Sequence, residues 1–127
     1  MVAAAEATGQ VLLEAFHYRY HNVMRRAEAI LREKPLGAIK SAKAVFHAPI
    51  AKAPGELRWL ADQGGGSLMD LGCYPLHALR TLLGVEPEVL QAKGVFEDGV
   101  DSAMAAQLSF PGEIEGLIAS SMIEPEP

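Results

Sequence analysis

Three consecutive strand-like stretches in the C-terminal part of the chain constrain the fold more than any other feature. They are rich in apolar residues and cover 88–96, 101–110 and 113–122. The turn sequences Glu97-Asp98-Gly99 and Pro111-Gly112 separate them, and both are typical of hairpins. Strands joined by such short turns favour an antiparallel meander. The tail Glu124-Pro125-Glu126-Pro127 is broken by proline and cannot continue the third strand.

Helical and strand-like segments alternate in the rest of the chain. An apolar run of strand length covers 11–16, and a helix with Asn22 as its N-cap is predicted over 23–32. A strand is predicted over 39–47, followed after an irregular stretch by a helix from about Ser67 to Leu83. Helices followed by a meander of strands favour an α+β fold: an open, mostly antiparallel mixed sheet with helices packed on one face.

Composition excludes several classes of function. A chain of 127 residues, 50% of them hydrophobic, forms one domain with its own core. A net charge of −5 with scattered basic residues argues against a nucleic-acid partner. No apolar run approaches the roughly 20 residues of a membrane span, so no membrane partner is expected. The single cysteine cannot form an internal disulfide, which favours a reducing, cytoplasmic location.

The helix predicted over 67–83 carries titratable side chains along one stripe. At about 100° per residue, Asp70, Tyr74 and His77 fall within roughly 40° of one line. A tyrosine hydroxyl can donate a proton to a carbonyl oxygen, and an aspartate one turn earlier can orient it. His77 can bind a hydroxylated substrate or relay a proton. The same stripe is also compatible with scaffold, in which Asp70 favours the helix dipole and the two rings simply pack.

Two local features bear on this choice without deciding it. Pro75 lacks the amide that would donate to Leu71, so the helix should loosen there. The glycines at 64–66 allow close backbone approach or unusual dihedral angles, yet they are equally compatible with a plain hinge.

Other candidate residues carry weaker signals. His17, Arg19 and His21 fall on one side of an extended segment, but no carboxylate or cysteine stands nearby and no metal site is expected. Cys73 lies away from His77 on the helix, so a small buried thiol is favoured over a nucleophile.

Four stretches resemble the glucose–fructose oxidoreductase / inositol dehydrogenase (Gfo/Idh/MocA) family. They are EAFHYRYHNVMRRA (14–27), LGAIKSAKAVF (36–46), GGGSLMDLGCYPLHALRTLLGVEPEV (64–89) and VDSAMAAQLSFPGE (100–113), in the family's order. The likeness is greatest to a subgroup, including dimeric dihydrodiol dehydrogenases, that pairs an aspartate with a tyrosine four residues later. In this family a Rossmann domain binds NAD(P), and a second domain with an open sheet completes the active site and forms the dimer interface.

The resemblance implies roles for particular residues. Asp70 and Tyr74 match the acid/base pair beside the nicotinamide, whereas Tyr18, Arg19 and His77 match substrate-binding positions. The implied reaction is reversible hydride transfer between NAD(P) and a hydroxyl carbon of a sugar, cyclitol or trans-dihydrodiol.

The sequence departs from the family where the cofactor binds. It contains no G-x-G-x-x-G motif, so no pyrophosphate cradle is expected. The family's catalytic lysine lies in a Glu-Lys-Pro motif, but Glu33-Lys34-Pro35 follows a helix here, and Lys34 is interpreted as a cation at the helix C-terminus. Residues 1–127 are therefore expected to form the second domain only, truncated at both ends, binding no cofactor and inactive alone.

Three hypotheses remain open at this point. The chain is a subunit completed by a separate Rossmann subunit, or a homo-oligomer formed through the open sheet face. Alternatively, it is a non-enzymatic dimerisation or binding module with a vestigial site. A third possibility is a truncated gene product or excised fragment.

Overall fold

The computed structural model describes residues 1–35 and 37–123, so Leu36 and the proline-broken tail at 124–127 lie outside it. Three α-helices precede or interrupt the strands: α1 (Val2–Thr8), α2 (Asn22–Glu33) and α3 (Cys73–Leu83). The strands are β1 (Ser41–His47), β2 (Glu88–Glu97), β3 (Val100–Phe110) and β4 (Ile114–Ser121). Short 3₁₀ turns cover His17–Tyr20, Leu57–Trp59 and Ala61–Gln63.

The four strands form one open sheet in the order β1-β4-β3-β2. The predicted meander β2-β3-β4 is antiparallel, and β1 joins it parallel to β4. Helix α3 packs on β1 and β4 through the same face of the sheet. This confirms the predicted α+β fold with an open, mostly antiparallel mixed sheet.

Two apolar clusters hold α3 and the turn just before it against the sheet. In the first, Leu79 packs on alternate side chains of β3 and β4: Ala106, Leu108, Phe110 and Ile118. The second joins Leu71 to Trp59, Val100 and Met122. Ser67, just before the helix, donates a hydrogen bond of 2.6 Å to Ser120 of β4, and both serines are buried. The position of α3 over the sheet is therefore fixed at both ends.

Within residues 1–35 and 37–123, no helix packs on the opposite face of the sheet. Its residues alternate with the core residues and include Lys43 on β1, Ala105 and Gln107 on β3, and Glu115 on β4, all exposed. The edge strand β2 is exposed from Glu88 to Phe96. A broad surface of the sheet is thus accessible to solvent in this chain.

Two sequence predictions are wrong in detail. The run 11–16 is not a strand but irregular, and Val11 is 92% exposed. A strand needs a partner for its backbone groups, and none of the described strands pairs with this segment. The N-cap of α2 is His21, not Asn22, because the His21 ring accepts a hydrogen bond of 3.2 Å from the amide of Val23.

Candidate active site

An open cleft of about 540 Å³ lies between α3, β1 and the 3₁₀ turn that begins at His17. Its lining comes from four parts of the chain. They are the 3₁₀ turn (His17, Tyr18), β1 (Ala44, Val45, Phe46), Arg58, and the helix (Asp70, Leu71, Tyr74, Pro75, Ala78). Most of these side chains are apolar, so the few polar groups determine what the cleft can recognise.

The helix that lines the cleft begins with a π turn. Residues Leu68–Gly72 form this turn and Cys73–Leu83 continue as regular α-helix, which confirms the predicted helix from about Ser67 to Leu83. The distortion ends shortly before Pro75, near the carbonyl groups that a proline cannot bond. Such π turns occur often at functional sites. Asp70 lies in the turn and Tyr74 just after it, and both line the cleft.

Asp70 is held by an arginine that sequence analysis did not single out. The Nε of Arg58 lies 3.0 Å from Oδ2 of Asp70, and its Nη1 donates a hydrogen bond of 3.1 Å to Oε1 of Glu56. No periodicity connects residues 58 and 70, because an irregular turn and three glycines separate them. No local pattern in the sequence reports this contact.

Tyr74 has a packed ring and an available hydroxyl. Phe16 and Phe46 contact the ring edge-on, with centroid distances of 5.4 and 5.5 Å. Within residues 1–35 and 37–123 the hydroxyl has no hydrogen-bond partner. The phenol is therefore held in place by its ring while its oxygen is available to a ligand.

His77 stands behind the cleft rather than in it. Its Nδ1 hydrogen-bonds the Tyr18 hydroxyl at 2.5 Å, and its ring stacks on Phe16 with centroids 3.9 Å apart. Burial lowers the pKa of His77, and the positive charges of Arg19 and Arg80 lower it further. Burial also raises the pKa of Tyr18, so both partners are neutral near pH 7. The pair ties the 3₁₀ turn to α3.

Arg19 and Cys73 lie outside the cleft lining. Arg19 forms an ion pair with Glu28 of α2. Cys73 is half-buried, and burial raises the pKa of its thiol, which keeps the sulfur protonated near neutral pH. Of the predicted site residues, the structure thus brings Asp70, Tyr74 and Tyr18 together in the cleft. His77 does not line the cleft but contacts Tyr18.

The glycine turn before the helix offers no free amide to a pyrophosphate at Gly64, Gly65, Gly66 or Leu68. The amides of Gly64, Gly65 and Gly66 before the helix already donate to backbone carbonyls, at 3.2, 2.9 and 2.9 Å. The amide of Leu68 donates to Oδ2 of Asp101 at 2.7 Å. Amides that are already bonded cannot cradle a phosphate. Lys34 ends α2 in the left-handed conformation, with φ 52°, and does not line the cleft.

No metal-binding or membrane feature emerges from the part of the chain that the structure describes. Within residues 1–35 and 37–123, no three His, Cys, Asp or Glu side chains come close enough to share a metal ion. In the same ranges, no helix has the length and apolar character needed to cross a bilayer.

Comparison with known proteins places the chain in a family. The model of the GFO/IDH/MocA C-terminal domain matches residues 24–127. The trans-1,2-dihydrobenzene-1,2-diol dehydrogenase of Sus scrofa is 34% identical over 124 residues, which are 96% of this chain and 36% of that protein. A D-xylose 1-dehydrogenase (NADP(+)) of Haloferax volcanii is 34% identical over 122 residues, 95% of this chain and 37% of that protein.

Solved structures give the same result. A 3-ketoreductase from Actinomadura kijaniata in complex with NADP and TDP-benzene superposes with a TM-score of 0.85 at 31% identity, covering 95% of this chain and 38% of that one. An aldose-aldose oxidoreductase from Caulobacter crescentus gives a TM-score of 0.85 at 27% identity, with 95% and 38% covered. The chain thus spans little more than a third of the length of these relatives. It belongs to the Gfo/Idh/MocA family and corresponds to the C-terminal domain of these oxidoreductases.

Proposed function

We propose that this domain forms the substrate side of the active site of an NAD(P)-dependent oxidoreductase acting on a sugar, cyclitol or trans-dihydrodiol. The observation that carries the proposal is the pairing of an available Tyr74 hydroxyl with the Arg58-bound Asp70 on one wall of the cleft. The relatives that share this domain include dehydrogenases and reductases of diols and sugars.

In this proposal Tyr74 is the proton donor. When a carbonyl is reduced, its hydroxyl donates a proton to the carbonyl oxygen, and the resulting phenolate recovers a proton from solvent. When bound, the reduced cofactor NAD(P)H would supply the hydride for the carbonyl carbon. Asp70 accepts a hydrogen bond from a neighbouring substrate hydroxyl and thereby orients the ring of the substrate. The aromatic rings around Tyr74 offer an apolar wall for the opposite side of the substrate.

The cofactor is held by residues other than those described here, in the same polypeptide or in a separate subunit. Support comes from the glycine amides before the helix, which are already bonded, and from the lack of a G-x-G-x-x-G motif in residues 1–127. Calorimetry with NADPH tests this directly. We expect NADPH not to bind to the 127-residue chain at micromolar concentrations. We also expect the chain alone to reduce no carbonyl substrate. A Kd in the micromolar range would contradict this part of the proposal.

Substrate binding by the cleft is tested separately by NMR. A trans-dihydrodiol, an aldose and a cyclitol are titrated into the labelled chain. We expect at least one of them to shift the signals of Tyr74 and Ala44, while signals of the open sheet face, such as Gln107, stay unchanged. Shifts confined to other surfaces, or none with any of the three, would contradict a substrate site in the cleft.

The open sheet face supports a second element of the proposal, self-association. Leu90 and Val95 on β2 and Ala105 on β3 are exposed there, and Leu117 on β4, paired with Gln107 of β3, belongs to the same face. Solvated sheet faces of this extent commonly pack against another surface. We take the partner to be a second copy of the chain. A cytoplasmic location also belongs to the proposal, supported by the single unpaired thiol.

A further inference from the structure

We propose that Arg58 is a positioning residue, which fixes the carboxylate of Asp70 at the cleft wall from a turn packed against Gly65. The inference rests on the proposed function, because it assigns Arg58 a role in the same reaction. Arg58 acts through Asp70, so it is distinguished from Tyr74 and Asp70 themselves.

The contacts of Arg58 divide the Asp70 carboxylate into a bound and an available oxygen. Nε of Arg58 forms an ion pair with Oδ2 at 3.0 Å, whereas Oδ1 has no hydrogen-bond partner within residues 1–35 and 37–123. A carboxylate bound through one oxygen is restricted in rotation, which directs the other oxygen. The negative charge of Asp70 raises the pKa of the guanidinium, so the cation persists at all physiological pH values.

Arg58 is itself fixed from both sides within the turn Leu57–Trp59. Oε1 of Glu56 accepts hydrogen bonds from the Arg58 amide at 3.3 Å and from its Nη1 at 3.1 Å. The next residue, Trp59, is buried, and its Nε1 donates to the carbonyl of Ile50 at 3.0 Å. The guanidinium therefore extends from an anchored turn and not from a free loop.

Glycine is what allows this turn to lie beside the start of the helix. The amide of Gly66 donates to the Arg58 carbonyl at 2.9 Å. A Cβ on Gly65 would lie 2.6 Å from that same carbonyl oxygen and 2.8 Å from the carbonyl oxygen of Leu60. Both are backbone atoms that cannot rotate away. Gly65 is thus required for the close approach that brings Arg58 to Asp70.

The ion pair between Arg58 and Asp70 is tested by NMR on the 127-residue chain. We expect a resolved Nε–H signal from Arg58 that shifts or is lost to solvent exchange in Asp70→Asn. In the control Glu56→Gln it should persist, because Glu56 contacts Nη1 and not Nε. An Arg58 Nε–H signal that is the same in wild type and Asp70→Asn would overturn the proposal.

The positioning role is tested by a double-mutant cycle on the oxidoreductase that contains this domain together with its cofactor domain. We expect Arg58→Gln to lower kcat by about 100-fold with a smaller change in KM, because a misplaced Asp70 still binds the substrate hydroxyl but no longer orients the substrate for reaction. Adding Arg58→Gln to Asp70→Asn should cost nothing further, and Arg58→Lys should restore part of the loss. Additive losses would overturn the proposal, since they would mean that Arg58 does not act through Asp70.

The two experiments separate this inference from the proposed function. If the wild-type oxidoreductase reduces no carbonyl substrate, the proposed function fails and the positioning role fails with it. An Asp70-dependent Nε–H signal would then identify a purely structural ion pair. If turnover depends on Tyr74 but the cycle is additive, the proposed function stands and only the role of Arg58 is overturned.

Discussion

At the scale of single residues, the environment of His77 makes the domain sensitive to mild acid. Burial, reinforced by Arg19 and Arg80, lowers the pKa of His77 in the folded chain below its value in the unfolded chain. Between these two values the unfolded chain binds more protons than the folded one. The free energy of unfolding contributed by this group is therefore complete above the unfolded pKa of about 6.5 and falls as the pH drops towards the folded pKa.

Replacing His77 should remove this component. The urea midpoint of the wild-type chain is expected to fall between pH 7.5 and pH 5.5 more steeply than that of His77→Gln, as measured by circular dichroism. Tyr18→Phe is the matched control, because it removes the 2.5 Å hydrogen bond but leaves His77 buried. Tyr18→Phe should lower the urea midpoint at both pH values, but the midpoint should still fall with pH as steeply as in the wild-type chain. Equal slopes for wild type and His77→Gln would show that His77 does not titrate in this range.

At the scale of elements, the turn that carries Arg58 depends more on Gly65 than on Gly64. Gly64→Ala places a Cβ in open space but in a left-handed conformation, with φ 73°, and should cost about 1 kcal/mol of unfolding free energy. Gly65→Ala drives a Cβ into two backbone carbonyls and should cost about 3 kcal/mol. Denaturant titration of both variants measures the difference. A Gly65→Ala chain as stable as Gly64→Ala would mean that the turn has room to move.

Elements whose pattern is local could be predicted from the sequence. The helix around Leu79 and the strands of the meander follow from apolar periodicity and turn residues, and the family resemblance located Asp70 and Tyr74 within them. The run at 11–16 has the same apolar character as a strand but has no neighbour to pair with, and no local pattern reports that. Arg58 was missed for a related reason, since its contact depends on a turn folding back over glycines.

The predicted stripe shows a limit of helical periodicity. A uniform 100° per residue places Asp70, Tyr74 and His77 within roughly 40° of one line. In the structure Asp70 and Tyr74 line the cleft, whereas His77, three residues after Tyr74 in the same regular helix, contacts Phe16 and Tyr18. The predicted stripe is therefore divided: Asp70 and Tyr74 face the cleft, and His77 packs in the wall behind it.

At the scale of the whole molecule, one face of the sheet is covered by α3 and the other is exposed. If this open face is a homodimer interface, sedimentation equilibrium should give a mass approaching twice 13.6 kDa as concentration rises. Ala105→Glu places a charge on the exposed face of β3 and should shift the chain to monomer without changing its circular dichroism. The control Ala53→Glu, in an exposed loop, should leave association unchanged. A monomeric wild-type chain at all concentrations would rule out this interface in the isolated domain.

The proposed function assigns to the cleft the proton transfer of an NAD(P)-dependent oxidoreductase. Its most direct test is kcat for carbonyl reduction by the oxidoreductase that contains this domain, followed through NAD(P)H absorbance, in Tyr74→Phe and in Tyr20→Phe. Tyr20 belongs to the neighbouring 3₁₀ turn but is 67% exposed and outside the cleft lining. We predict that Tyr74→Phe loses at least about 100-fold in kcat while Tyr20→Phe keeps wild-type activity. Wild-type kcat in Tyr74→Phe would contradict the assignment of the cleft as the active site.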